Sequence, residues 1–387
     1  MNSYHAHPSN WIHRNSVISQ ESAIGKSAGL FRDIISARLH GKPLVVTEYQ
    51  CVFWNKYRYE QPFVFGAYAA FQGIDAISMH SDPVSLQPEV FSDSRIRSFG
   101  GYTDPIAVAA EFLTFFLYRR GDVKTVPDNV RIQMSNDLKG VKNPNVTLSK
   151  TQSSLALITG FSLDFEGKKD PNALLISLKG GAKTAGTNAY SQSIDESANL
   201  VPYLKLMKEK GFLPKENRSN GLNLFESSTR ELLLDTDKRF MAVNTPRLQG
   251  ISAEAGTKYK FPDFEISSVS VRGTLALVSI DKREPIRTAK RLVLVFATNA
   301  LNSNMQFAEQ EMLKLLRSGG SPALIQAGKF RIRLRNRNAA NLTLHPLDLA
   351  GRRLKTIRPE TISGEWAEFT VDTARDGAAL FFELGSK

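Results

Sequence analysis

The amino-acid pattern changes character at about residue 124, and this change most constrains how the chain can fold. Before it, short apolar runs alternate with helical patterns, which is typical of α/β structure. After it, strand-like segments alternate with turn residues, which is typical of antiparallel β structure. The sequence therefore predicts an α/β part followed by all-β domains of the sandwich type.

Two short apolar runs in the first part predict neighbouring parallel strands. Residues 43–48 are almost wholly apolar up to Glu48, as a buried parallel strand would be, and residues 74–80 form the second run. A helix predicted at 62–72 lies between them, which is the βαβ arrangement. A further helix is predicted at 17–39.

Another helix is predicted from Asp104 and Pro105 to about Arg120. Asp104 is a favourable N-cap residue, and proline is favoured at the first helical position. A strand end is predicted at residues 1–7. The first 124 residues thus contain three predicted strands, where a complete (β/α)8 barrel contains eight.

The second part is predicted to form a β-sandwich domain at 125–325 and a small C-terminal β domain, or completing strands, at 326–387. Helices are expected to interrupt it at 197–210 and 306–317, and 318–328 has the composition of a linker. The predicted strands are 130–134, 154–165, 173–179, 230–243, 264–280, 290–298, 329–335 and 341–349.

Composition excludes several classes of protein. No apolar run of about 18 residues is present, so no membrane span is predicted. The single cysteine, Cys51, allows no intrachain disulfide, and the amino terminus lacks the pattern of a signal peptide. Cys51 has no histidine next to it in sequence, which favours a packing role over a nucleophilic one.

The formal charge of +12 raises the question of a polyanionic partner. Lys and Arg are spread along the whole chain, which favours an ordinary basic surface and no nucleic-acid partner. A local concentration lies at 331–337, where arginines alternate with apolar residues. That alternation predicts a strand with one solvated face, and a polyanion site remains the alternative.

Polar and aromatic side chains follow all three predicted strand ends. Because catalytic groups of TIM barrels lie at the carboxyl ends of strands, Glu48 is a candidate catalytic acid, although such a glutamate is also compatible with an ordinary ion pair. Flat aromatic faces mixed with hydrogen-bonding groups are typical of sugar sites. The set comprises Asn2, Tyr4, His5, His7, Trp54, Asn55, Tyr57, Arg58, His80, Ser81 and Asp82.

His5 and His7 alternate along one strand, so they could bind a metal ion instead of a sugar. No third ligand occurs at a suitable spacing, so neither a metal nor another cofactor is predicted.

Four segments resemble the last three strands of clan A retaining glycoside hydrolases, namely Tyr-His-Ala-His-Pro (4–8), Gly-Lys-Pro-Leu-Val-Val-Thr-Glu-Tyr (41–49), Asn-Lys-Tyr-Arg-Tyr-Glu (55–60) and Ala-Tyr-Ala-Ala-Phe-Gln-Gly-Ile-Asp-Ala-Ile (67–77). The similarity is closest to bacterial cellulase-like and β-galactosidase-like enzymes that carry β domains after the barrel. Residues 228–250 resemble a hairpin of those β domains.

The resemblance implies that Glu48 is the nucleophile at the end of strand seven and that residues 1–124 are strands six to eight of a TIM barrel. It implies an oligo- or polysaccharide substrate. Tyr4, His5 and His80 would orient Glu48 or bind the sugar. Substrate-binding roles are also implied for His7 and Asn55, with Trp54 and Tyr57 forming a sugar-stacking loop.

The acid/base of this clan is a glutamate after an asparagine at the end of strand four, upstream of these segments. The chain is therefore expected to be an inactive fragment, or to take its missing strands from another chain. The intact enzyme would be secreted or periplasmic by resemblance. A non-catalytic carbohydrate-binding or scaffold protein is the alternative.

Overall fold

The computed structural model describes residues 2–81, 95–134, 148–165, 170–177, 182–183, 190–191 and 200–386. Its α-helices are α1 (Gly29–Ile35), α2 (Tyr68–Gln72), α3 (Pro105–Thr114), α4 (Lys150–Ser153), α5 (Val201–Glu209) and α6 (Thr373–Asp376). Pro62–Ala67 and Phe115–Arg119 are π-helical, and Arg58–Glu60, Ser154–Leu157 and Ala339–Asn341 are 3₁₀-helical. In the described part of the chain, no helix has the length and apolar character that a membrane crossing requires.

The strands up to residue 235 are β1 (Asn2–His5), β2 (Ser9–Ile12), β3 (Val45–Cys51), β4 (Ala76–Met79), β5 (Val130–Gln133), β6 (Phe161–Asp164), β7 (Leu174–Ser177), β8 (Ala182–Lys183), β9 (Tyr190–Ser191), β10 (Leu224–Glu226) and β11 (Leu232–Asp235). The middle strands are β12 (Phe240–Asn244), β13 (Leu248–Ala253), β14 (Tyr259–Lys260), β15 (Phe264–Val269), β16 (Gly273–Ser279), β17 (Arg291–Ala297), β18 (Ala300–Ser303) and β19 (Gln306–Phe307). The last strands are β20 (Leu315–Arg317), β21 (Gly320–Ile325), β22 (Lys329–Arg335), β23 (Leu342–Leu347), β24 (Thr361–Ser363), β25 (Trp366–Asp372) and β26 (Phe381–Ser386).

A three-stranded parallel sheet of order β1-β3-β4 carries the predicted site. The prediction that 43–48 and 74–80 form adjacent parallel strands is confirmed. The connection between β3 and β4 contains the predicted helix 62–72, as a π-helical turn that continues into α2. The helix after Asp104 is also confirmed, because the Asp104 side chain accepts a hydrogen bond from the Ile106 N–H and caps α3.

Burial of β3 changes along the strand, being one-sided at its start and two-sided from Tyr49 to Cys51. Val46 packs into the core, whereas Val45 is 46% exposed and Thr47 is also exposed. On β4, Ala76 and Ser78 are exposed while Ile77 and Met79 pack against the core. The segment 43–48, predicted as a buried strand, is therefore buried on one face only, and β3 becomes fully buried after Glu48. Among the described residues the strands close no (β/α)8 barrel, since β1 and β4 are the edges of the sheet.

A second parallel sheet, of order β6-β5-β7, follows the change of character at residue 124. Antiparallel structure was expected for the segments 130–134, 154–165 and 173–179, and this is wrong. The reason is that α4 and the 3₁₀ turn after it cross over between β5 and β6, and a crossover connection makes two strands parallel.

A β-sandwich forms the remainder, as predicted. Its larger sheet has the order β10-β11-β12-β13-β16-β17-β26-β23, and its smaller one has the order β14-β15-β22-β25-β24. A core of aromatic and aliphatic residues, including Phe264, Ile332 and Phe382, fills the space between them. The strands after residue 326 join both sheets and thus complete the sandwich.

The eight-stranded sheet is buried on both faces. Leu233, Leu275 and Leu294 face the sandwich core, whereas their neighbours in sequence, such as Leu234 and Val295, belong to the core of the α/β part. The helix α3 contacts β17 from that side. This explains why β16 and β17 read as continuous apolar runs although they are antiparallel.

Three other predictions of secondary structure are corrected. The helix expected at 17–39 begins only at Gly29, because the side chain of Glu60 binds the segment at Ser22 and Ile24. The helix expected at 306–317 is the hairpin β19–β20, whose backbone pairs with residues 15–18.

The linker expected at 318–328 contains β21, which pairs with β18. The helix expected at 197–210 is present as α5.

Candidate functional site

Glu48 lies on β3, three residues before the carboxyl end of that strand, between residues of both neighbouring strands. The Tyr4 hydroxyl, on β1, donates a hydrogen bond to Oε2 of Glu48. Nδ1 of His80, directly after β4, lies 3.8 Å from the same oxygen. The side chains of Glu48 and His80 are each 37% exposed. The structure thus brings together three of the predicted site residues at a place that solvent reaches.

Tyr4 and His80 belong to a cluster of five aromatic rings beside this carboxylate, and Phe99 lies at the centre of the cluster. The Phe99 centroid is 4.6 Å from that of His80, 5.2 Å from Tyr4, 5.6 Å from His7 and 5.4 Å from Trp11. Most of the contacts are edge-to-face, the favourable arrangement for aromatic pairs. Phe99 is buried, whereas Trp11 is 50% exposed, so the cluster has a packed centre and an open side.

The segment before α3 positions Phe99 against the sheet. The Phe53 N–H donates to the Ser98 carbonyl at 3.1 Å, which ties this segment to the loop after β3. Gly101 lies against the end of β4, where an added Cβ would come within 2.7 Å of the Met79 side chain. The absence of a side chain at this position allows the segment to pass close to His80.

Sequence reasoning missed Phe99 and Trp11. Trp11 follows β1 by six positions, so its proximity to a strand end was a usable signal. Phe99 stands between elements, in Ser-Phe-Gly-Gly, and no periodic pattern marks it.

The two other candidates on the first segment have different surroundings. Nε2–H of His5 donates to the Glu21 carbonyl at 2.7 Å, and burial lowers the pKa of His5. His7 is exposed and its Nδ1 donates to the Pro8 carbonyl, while its ring contacts Tyr4 at 5.9 Å. His7 therefore belongs to the aromatic cluster, whereas the hydrogen bond of His5 anchors the segment that carries Glu21.

The loop after β3 is inside the protein, which corrects the expectation of a sugar-stacking loop. Trp54 and Asn55 are fully buried and Tyr57 is nearly so. Nε1–H of Trp54 donates to the Met312 carbonyl at 2.8 Å, and Nδ2 of Asn55 donates to the carbonyls of two residues of the amino-terminal segment. These side chains join the loop to its neighbours and have no face left for a ligand.

Arg58, in the same loop, is the centre of a buried polar network. Its Nε and Nη2 donate to the two oxygens of Asp104, at 2.6 and 3.2 Å. Nη1 donates to the Asn55 carbonyl and to Asn299 Oδ1, and Nη2 also donates to the Ala300 carbonyl. All five N–H donors of the guanidinium are used, so this arginine links the site loop, α3 and the β part.

A second network lies behind β3. The Tyr49 hydroxyl donates to Glu111 Oε1 at 3.0 Å, and Gln61 Nε2 donates to the same oxygen at 3.2 Å. Gln61 in turn accepts the Cys51 N–H at 2.7 Å. Burial raises the pKa of Glu111, Tyr49 and the Cys51 thiol. These contacts fix the strand that presents Glu48, and they place Cys51 in a packing role.

The arginines of 331–335 form ion pairs across the smaller sheet of the sandwich. Arg331 binds Glu368, Arg333 binds Glu265 and Arg335 binds Glu365, at 2.5, 3.0 and 3.1 Å. The apolar residues between them are buried in the sandwich core. This is the solvated strand face that the alternation predicted, with its charges already paired.

No cluster of three His, Cys, Asp or Glu side chains suited to a metal ion occurs within the described ranges. The predicted site residue Asp82 lies outside those ranges. Comparison with protein-family models, with curated proteins and with solved structures gives no match. The arrangement around Glu48 is therefore interpreted from its own chemistry, namely an oriented carboxylate, an imidazole and an aromatic wall.

Proposed function

We propose that this chain carries the nucleophile of a retaining β-glycosidase, and that the nucleophile is Glu48. The observation that carries the proposal is the pairing of Glu48 with Tyr4 inside the aromatic cluster. The hydroxyl of Tyr4 binds Oε2 and so restricts the rotation of the carboxylate. A carboxylate that attacks an anomeric carbon needs a fixed orientation, because misplacement of reacting atoms lowers the rate steeply.

The surrounding rings support a sugar as the substrate. Tyr4 and His80 offer an aromatic surface on which the C–H faces of a pyranose pack, next to groups that hydrogen-bond hydroxyls. In the proposed reaction Glu48 displaces the leaving group and forms a glycosyl-enzyme, which water then hydrolyses. TIM-barrel enzymes place catalytic groups at the carboxyl ends of parallel strands, and His80, beside Glu48, directly follows β4.

The finer fold assignment belongs to the same proposal. The sheet β1-β3-β4 would be strands six to eight of a TIM barrel, and further strands would add at its edges, supplied by upstream sequence or by another chain. The resemblance places the acid/base on strand four, as a glutamate that follows an asparagine. Retention requires that this second carboxyl stand about 5–5.5 Å from Glu48.

A probe that needs no acid catalyst tests the nucleophile directly. 2,4-Dinitrophenyl 2-deoxy-2-fluoro-β-glycosides have a leaving group that departs without protonation, and the fluorine slows hydrolysis of the glycosyl-enzyme. We expect the gluco- or the galacto-configured probe to add one sugar to the peptide that contains Glu48, detected by mass spectrometry after proteolysis.

Two variants show whether Glu48 is the carboxylate that reacts with the probe. Glu48→Gln keeps the shape of the side chain and should abolish labelling, since the attacking oxygen is lost. Glu21→Gln changes a half-exposed carboxylate paired with Lys26 and should label at the normal rate. A label on another carboxylate would refute the assignment of Glu48. Saccharide binding without any label would instead support the non-catalytic carbohydrate-binding alternative.

A further inference from the structure

The residue Trp11 combines three properties that ordinary surface residues seldom combine. Its side chain is large and apolar and the residue is 50% exposed. Two edge-to-face contacts hold the ring, to His7 and Phe99, both with centroids 5.4 Å away. Its backbone is left-handed, with φ of 45°, which is a true outlier for a bulky residue.

The backbone around Trp11 is strained at two more places. Ala6 and Asn15 also have positive φ, of 56° and 68°. Left-handed conformations are unfavourable for non-glycine residues, most of all for bulky ones, and they persist where surrounding contacts impose them. Those contacts are present here, because Ser9 and Val17 exchange hydrogen bonds of 2.8 and 2.9 Å across the turn. The chain thus holds the Trp11 ring in place at a local cost.

The position of Trp11 relates it to Glu48. Phe99 contacts both Trp11 and His80, with ring centroids 5.4 and 4.6 Å away, and Nδ1 of His80 lies 3.8 Å from Oε2 of Glu48. A sugar ring resting on Trp11 would therefore be the neighbour of the sugar that Glu48 attacks.

We infer that Trp11 is a stacking platform for a second pyranose, and that the substrate is consequently an oligosaccharide of at least two β-linked sugars. The inference rests on the proposed function and deepens it by naming the size class of the substrate. It assigns Trp11 to binding, and the covalent step remains with Glu48.

Tryptophan fluorescence of the full chain gives a direct test. Of the three tryptophans, Trp11 is exposed, Trp54 is fully buried and Trp366 lies on the sandwich with its ring under Arg333. We expect one of the β-linked gluco-, manno- or galacto-tetrasaccharides to shift the emission of the wild type and of Trp366→Phe, and to leave that of Trp11→Phe unchanged.

Calorimetry with the same tetrasaccharide measures the size of the effect. Trp11→Ala should weaken binding about tenfold, because it removes the aromatic face on which the sugar ring packs. Trp11→Phe should lie between Trp11→Ala and the wild type, and Trp366→Phe should equal the wild type. The rate at which Glu48 is labelled by the single-sugar fluoroglycoside should be the same in Trp366→Phe as in the wild type.

The outcomes separate the two claims. Unchanged affinity in Trp11→Ala, an emission shift that persists in Trp11→Phe, or no tetrasaccharide binding by the wild type would each overturn the platform. Tetrasaccharide binding that depends on Trp11, without a label on Glu48, would uphold the platform and overturn the nucleophile.

Discussion

Arg58 and Glu48 are both charged residues near the same strand end, yet their surroundings differ in every respect that matters for function. The side chains of Arg58 and Asp104 are 3% and 4% exposed, and every donor of the guanidinium has a partner. Glu48 and His80 are each 37% exposed, and their closest approach is a loose 3.8 Å. A saturated buried pair holds elements together, whereas an accessible carboxylate with an orienting donor can still accept a ligand.

The largest effect that this comparison predicts is the loss of Arg58. Arg58→Ala removes the partner of a buried Asp104 and should destabilise the protein by about 3–5 kcal/mol, because an uncompensated charge remains inside. Urea unfolding measures the change. Arg331→Ala, which breaks an exposed pair with Glu368, should cost less than about 1 kcal/mol. If the two variants lose the same free energy of unfolding, the buried ion pair is no more important for stability than the exposed one.

A pH effect at Glu60 is the next largest. Glu60 is fully buried and accepts hydrogen bonds from Ser22 Oγ and the Ile24 N–H, and burial raises its pKa from 4.5 to about 8. The folded state therefore keeps a proton that the unfolded state loses above pH 4.5. The stability associated with this proton is complete below the unfolded pKa and declines as pH rises to about 8.

Glu60→Gln tests this directly, since an amide resembles the protonated acid and does not titrate. We expect the variant to gain stability over the wild type by on the order of 1 kcal/mol per pH unit between pH 5 and pH 8. Urea unfolding at each pH gives the difference. Parallel stability curves for the two proteins would show that Glu60 is already ionised in the folded state.

Trp54 and Trp11 give a smaller contrast of the same kind. Trp54→Phe loses the hydrogen bond to the Met312 carbonyl and leaves a gap in the core, which should cost about 1–3 kcal/mol. Trp11→Phe should change stability by less than about 0.5 kcal/mol, as expected of an exposed position. If Trp11→Phe proves the more destabilising change, Trp11 is a structural residue.

The smallest expected effect on stability is that of Glu48→Gln. The amide oxygen can accept the hydrogen bond from Tyr4, and the site is open to water, so we expect a change within about 0.5 kcal/mol. Thermal unfolding followed by circular dichroism is sufficient to measure it. A cost comparable with that of Arg58→Ala would mean that Glu48 is part of the scaffold.

The sequence was sufficient for elements that depend on local patterns. Two apolar runs around a helix predicted the parallel pair β3 and β4, and Asp104 with Pro105 predicted the start of α3. The predicted sheet also brought Glu48 together with Tyr4 and His80, although β3 continues to Cys51, beyond the end predicted at Glu48.

Residues whose environment is set by distant parts of the chain were not predictable in this way. The sequence of an aromatic-rich loop is compatible with an exposed or a buried position. Trp54 is buried because it packs against a distant part of the chain, where its Nε1–H donates to the Met312 carbonyl. Phe99 enters the site because Gly101 permits a close approach to β4, and periodicity does not encode such contacts. The apolar residues of the hairpin β19–β20 do not alternate strictly, as those of a half-buried strand do. This segment was therefore predicted as a helix.

The position of β26 has a consequence for synthesis of the protein on the ribosome. This strand lies between β17 and β23, inside the eight-stranded sheet, although it spans Phe381–Ser386. Until it emerges, β17 presents an unpaired apolar edge of the kind that recruits other chains. This edge of β17 would therefore stay open until Phe381–Ser386 leave the ribosome, long after the residues around Glu48 have been made.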